Sequence, residues 1–106
     1  MAKYMIQASY TQSGVQGVLK EGGSGRRDAI GKLLADLGGS LEGFYFAFGQ
    51  DDVFVIADLP DNVTAAAIGL TVAASGAVTS RTVVLLTPEE IDRATQQSVS
   101  YRAPGA

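Results

Sequence analysis

From Lys3 to Tyr10 the chain alternates. Tyr4, Ile6, Ala8 and Tyr10 fall on one side of an extended segment and Met5, Gln7 and Ser9 on the other, which is the period of a strand. The period then changes. Thr11 stands where a helix cap belongs, and Val15, Val18 and Leu19 recur three and four residues apart until Glu21-Gly22-Gly23-Ser24-Gly25 breaks or kinks the helix. Ile30, Leu33, Leu34 and Leu37 resume the helical spacing, and Gly38-Gly39 stops it. Asp28 and Lys32, four apart, are spaced to pair on the outer face.

Two apolar runs follow, Leu41 to Phe48 and Val53 to Ala57, joined by Gly49-Gln50-Asp51-Asp52. They predict a β-hairpin. Pro60 closes it, and Asp61 is placed to cap a helix carrying Val63, Ala66, Ala67, Leu70 and Ala74, ended by Gly76. A last strand is expected over Val78 to Leu86. Thr87-Pro88-Glu89-Glu90 then combines a cap, a first-turn proline and a glutamate at the third helical position, a capping box that predicts a short helix to about Gln96. The series is β-α-β-β-α-β with the first helix broken. It predicts an α+β fold, a ferredoxin-like four-stranded antiparallel sheet with helices on one face. Residues 1–97 make that domain, and residues 98–106, without periodicity, are expected to be a flexible tail or an arm that orders on a partner.

Such a sheet leaves one face open, and a face in water should alternate cleanly between apolar and polar. Gly43 to Phe48, Val53 to Ala57 and Val83 to Leu86 are instead uninterrupted apolar runs, so apolar side chains are expected on both faces. Four strands of usual length give a face of roughly 350 Å² in projection. A bare apolar patch of that size marks an interaction site. The simplest cover is a second copy, sheet on sheet; the alternative is that only part of the face is apolar and the C-terminal arm lies over it. The helix after Asp61 carries no charge, where a solvent-facing helix would carry several; it is read as a second contact between copies, the alternative being a polar-poor surface of Thr and Ser.

Composition removes several chemistries. The chain has 106 residues without His or Cys, so there is no Ser-His-Asp or Cys-His nucleophile, no disulfide and no His- or Cys-ligated metal. No cofactor is expected. A net charge of −3 disfavours nucleic acid as a partner. The N-terminus lacks the apolar run and cleavage site of a secretory signal, so a cytoplasmic location is expected. Asn62 to Ser80 is uncharged but too rich in Gly, Ser and Thr to cross a membrane.

Several stretches, in order, are similar to one known family: Tyr4 to Thr11, Lys20-Glu21-Gly22-Gly23-Ser24, Leu37-Gly38-Gly39, Phe44 to Gly49 and Val84 to Glu90. Over about residues 3 to 95 the chain resembles the GYD-domain family. The resemblance implies a dimeric α+β barrel and leaves the biochemical role uncharacterised. The family takes its name from a Gly-Tyr-Asp signature in the hairpin. Here Gly49-Gln50-Asp51-Asp52 keeps the glycine and an aspartate without the tyrosine.

Three groups of residues are candidates for chemistry. Ser24, Arg26 and Arg27 follow a glycine-rich break at the start of a helical run, an arrangement suited to a phosphate or carboxylate; the alternative is a kink whose arginines pair with acidic neighbours. Gln7, Ser9, Arg81 and Thr82, with Tyr10, Tyr45 and Phe54, are candidates to line a ligand cavity between paired sheets; the alternative is a packed interface. Asp51, Asp52, Asp58 and Asp61 lack metal-binding spacing and are read as turn and cap residues, with no metal site. The expected function is a homo-oligomeric, non-catalytic module binding a small organic anion, an aromatic ligand or a partner. The alternative is a cofactor-independent enzyme, monooxygenase- or isomerase-like, which without His would need an Asp, Glu, Tyr or Lys base.

Overall fold

A computed structural model describes residues 1–106. The elements run β1 (Ala2–Tyr10), α1 (Gln12–Asp36), β2 (Ser40–Phe46), β3 (Val53–Leu59), α2 (Asn62–Ala74), β4 (Val78–Leu85) and α3 (Pro88–Thr95). The fold is α+β, with one four-stranded antiparallel sheet in the order β2-β3-β1-β4. Two β-α-β units are thereby interleaved: β1 and β2 run parallel with β3 between them, and β3 and β4 run parallel with β1 between them.

Local chemistry sets the helix limits. Thr11 accepts from the Gly14 amide, Asp61 from the Thr64 amide, and Thr87 and Glu90 form a reciprocal capping box. At the end of α1, Gly38 takes φ 81°. The Gly39 amide reaches back to the Leu34 carbonyl at 2.8 Å and the Gly38 amide to Ala35 at 3.0 Å, the six-to-one and five-to-two bonds of a Schellman ending. Inside α1, Gly22 sits at φ 77°, ψ 170° and divides the helix into two arms. Only glycine occupies that region at ease. Asp28 pairs with Arg27 rather than with Lys32. The hairpin strands also shift from their expected limits. β2 ends at Phe46, because Ala47 turns to bond the Asp52 carbonyl, and β3 runs on to Leu59.

The core lies between the sheet and α1 and α2. Tyr4, Leu34, Ala57, Leu59 and Ala65 form one cluster and Ala8, Val53 and Val55 the other. Along β3 every second residue from Val53 is buried and every other one half-buried, so the strand faces helices on one side only. The Tyr4 hydroxyl, deep in the core, donates to the Asn62 side chain at the start of α2. That bond satisfies the one polar atom this buried ring carries.

Register fixes the open face. Gly43, Ile56, Met5 and Val83 stand side by side across the four strands; the next row is Tyr45, Phe54, Gln7 and Arg81. A third row brings Asp58, Lys3 and Leu85 together, with Lys3 bridging Asp58 and Glu42. The open face is thus apolar through its middle and bounded by charged groups at its ends. No helix is long and apolar enough to cross a membrane.

Candidate functional site

α1 packs on β2 and β1, and α2 packs on β4 and β3, while the two helices make at most slight contact with each other. Their divergence leaves a gap above the middle of the sheet. Beneath it lies a cavity of about 80 Å³, several times the roughly 10–15 Å³ that one water needs. Its floor is Ile6, Ala8 and Tyr10 of β1 with Val53 and Val55 of β3; its walls are α1 and α2. Gly69 lines it from α2, and a β-carbon built there would meet nothing within 4 Å. Residue 69 has no side chain, so that part of the space stays open.

Most of the lining is apolar. The residues with polar side chains are Ser80, Thr82, Tyr10 and Arg26. Arg26 lies in α1 on the C-terminal side of the Gly22 kink. Its side chain is 28 % exposed and held by one contact, Nη1 to Glu21 Oε2 at 3.3 Å. A second, more polar hollow of about 150 Å³ shares Tyr10, Arg26 and Val78 with the first and adds Ser13 and Glu21, so Arg26 lines both. Aromatic packing shapes this end: Phe46 stacks with Tyr10 at 6.5 Å and meets Phe44 edge-on at 5.4 Å. Gly23 lies so close over Phe46 that an added β-carbon would come within 3.1 Å of the ring.

The residues singled out from sequence divide between two surfaces. Tyr10 and Thr82 face the helices and line the cavity. Gln7, Ser9, Tyr45, Phe54 and Arg81 lie on the open face, on which Gln7 is aligned with Phe54 and Arg81. There Arg81 Nη2 donates to Asp51 Oδ2 at 2.7 Å and to Gln7 Oε1 at 3.0 Å, and the Ser9 hydroxyl donates to the Gln50 carbonyl at 3.2 Å. Of the glycine-rich group, Arg26 faces the cavity, Ser24 is exposed, and Arg27 points to solvent beside Asp28 at 3.3 Å. Phe44, Gly69 and Ser80 belong to the cavity without having been singled out. One of them carried a signal: a glycine inside an otherwise well-formed helix.

The acidic residues of the hairpin and its neighbourhood are engaged within the fold. Asp51 pairs with Arg81, Asp52 accepts from the Tyr10 amide at 2.9 Å, Asp58 pairs with Lys3, and Asp61 caps α2. The Asp61 carboxyl is held below its ordinary value by the Thr64 amide and hydroxyl. The Glu90 carboxyl is lowered by the Thr87 amide. Lys3 is raised by its bonds to Glu42 and Asp58.

Comparison with known proteins places residues 4–95 under one family description, GYD domain. No curated protein and no solved structure matches the chain.

Proposed function

The chain belongs to the GYD domain family, and on that footing we propose a cytoplasmic, homo-oligomeric protein that binds a small organic acid without catalysis. The observation that carries this reading is Arg26, a residue that lines a largely apolar cavity and whose guanidinium makes a single 3.3 Å contact, to Glu21. A ligand of matching chemistry has an aromatic or aliphatic body and one carboxylate. The body enters between β1, β3 and α2 and the carboxylate takes the planar fork of Arg26, with the Tyr10, Ser80 and Thr82 hydroxyls as orienting partners.

The assembly reading is a ferredoxin-like unit pairing through its open face as a dimeric α+β barrel. The sheet order, read from β4 to β2, supports the first part. The second is supported by the row Ile56, Met5 and Val83 and by the exposed Tyr45 on a face no helix covers. The absence of Cys supports a reducing compartment.

The test of the ligand is thermal denaturation of the full chain with benzoate, phenylacetate and hexanoate, each against its neutral amide. Binding predicts a saturable rise in melting temperature with at least one acid, lost in Arg26→Gln and kept in Arg27→Gln. A ligand at 100-fold its Kd adds about 2.7 kcal/mol, well within reach of the method. No rise with any acid, or an equal rise in Arg26→Gln, overturns the reading.

A further inference from the structure

The C-terminal arm, residues 86–106, carries apolar side chains that its own chain leaves exposed. α3 makes at most slight contact with any other element. Ile91 is 45 % and Tyr101 75 % exposed, and Leu86 and Val99 are exposed as well. Yet α3 is well specified at its start, by Thr87, Pro88 and Glu90. Helices shorter than about 12–15 residues are marginal alone in water, and α3 has eight. A helix with a strong cap and no support along its length is built to be supported by another molecule.

Surface area says how much cover is called for. The chain exposes 7271 Å², about 1,650 Å² more than the ~5,600 Å² that size scaling gives for a compact protein of 11.0 kDa. Its radius of gyration is 16.9 Å, against about 13 Å for a compact domain of this length. A standard interface hides about 800 Å² on each partner. The open sheet face, roughly 350 Å² in projection, falls short of that by itself, whereas the chain's excess surface exceeds it.

We propose that the arm of each copy crosses to a second copy and lies along the margin of its open sheet face, with Ile91, Val99 and Tyr101 in the contact. The inference rests on the pairing of copies argued above and adds which segment holds them. The arm leaves the sheet at Leu85, beside Lys3 at one end of the open face. Sheet-on-sheet pairing therefore delivers it to the partner.

The experiment uses the lack of cysteine in the chain. Ser100→Cys and, separately, Gln97→Cys, both at exposed positions flanking the apolar residues, are introduced into the full chain and coupled to a benzophenone maleimide. Each is refolded with a tenfold excess of 15N-labelled chain of the original sequence, sedimented to establish the mass, and irradiated. A dimer with light-to-heavy cross-links mapping to β1 or β4 of the heavy copy bears the proposal out. A dimer whose cross-links stay within the light chain, or which gives none, overturns the arm and leaves the pairing intact. A monomer overturns both.

Discussion

Arg81 on β4 reaches over the intervening strand β1 to Asp51 in the β2–β3 loop, Nη2 to Oδ2 at 2.7 Å. The bond ties an edge strand to the hairpin across the open face, and Gln7 accepts from the same nitrogen on the way. The Arg81 side chain is 65 % exposed and that of Asp51 16 %. Exposed ion pairs are worth about 0.2–1 kcal/mol and weaken in salt. If a second copy covers this face, a double-mutant cycle with Arg81→Gln and Asp51→Asn should give a coupling above about 1 kcal/mol that survives 1 M salt. A smaller, salt-screened coupling would place the pair in water.

Gly22 tests the kink. At φ 77° and ψ 170°, a side chain meets no neighbouring atom within 4 Å, so the whole cost of Gly22→Ala is backbone strain. That strain is about 1–3 kcal/mol. Because the kink sets the course of the arm that carries Arg26, the variant should also lose acid-dependent stabilisation, read by denaturant melts with and without benzoate. Unchanged stability would mean that the kink is not imposed by the glycine.

Gly69 should respond with the opposite sign. It is helical, faces the cavity, and has open space where a β-carbon would go. Gly69→Ala gains about 0.8–1 kcal/mol of helix propensity and raises the denaturation midpoint. The added methyl also occupies ligand space, so affinity should fall. A variant both more stable and weaker in binding is the expected signature; one that binds as before would put the ligand elsewhere.

Acid stability follows from two caps. Asp61 and Glu90 have folded-state values below their ordinary ones, each chiefly through a backbone amide donated to the carboxylate. Stability from such groups is fully present above the unfolded carboxylate range and is lost as pH falls through the lowered value. Lys3 is raised, so its contribution is present below the ordinary lysine value of 10.5 and lost as pH climbs past the folded one. With no His or Cys to titrate, the melting temperature should be flat between about pH 6 and 9 and fall below about pH 4. Asp61→Asn keeps a capping oxygen that does not titrate. Its acid fall should therefore be shallower than that of the unsubstituted chain.

The contrast between what the chain spells out and what it withholds is sharpest at Thr87 and Arg26. The capping box at Thr87-Pro88-Glu90 is complete within four residues, and so are the Asp61 cap and the Gly38 ending; such chemistry is local and legible. The apolar rows of the open face were legible too, in the runs Gly43 to Phe48, Val53 to Ala57 and Val83 to Leu86. Parity within β1 already separates Tyr10 from Gln7 and Ser9. Register between strands does not follow from any one segment, and it is register that sets Arg81 beside Gln7 and Tyr45 beside Phe54. The cavity was the least legible feature. It arises where two helices diverge over the sheet, and it collects Arg26, Phe44, Gly69 and Ser80 from four elements with no shared sequence period.

The most direct measurement is the mass of the full chain in solution by sedimentation equilibrium at micromolar concentration. Pairing through the face of Met5, Ile56 and Val83 predicts a particle of at least twice 11.0 kDa that dissociates when Ile56→Asp puts a charge in its centre. A well-folded single 11.0 kDa chain at that concentration would contradict it.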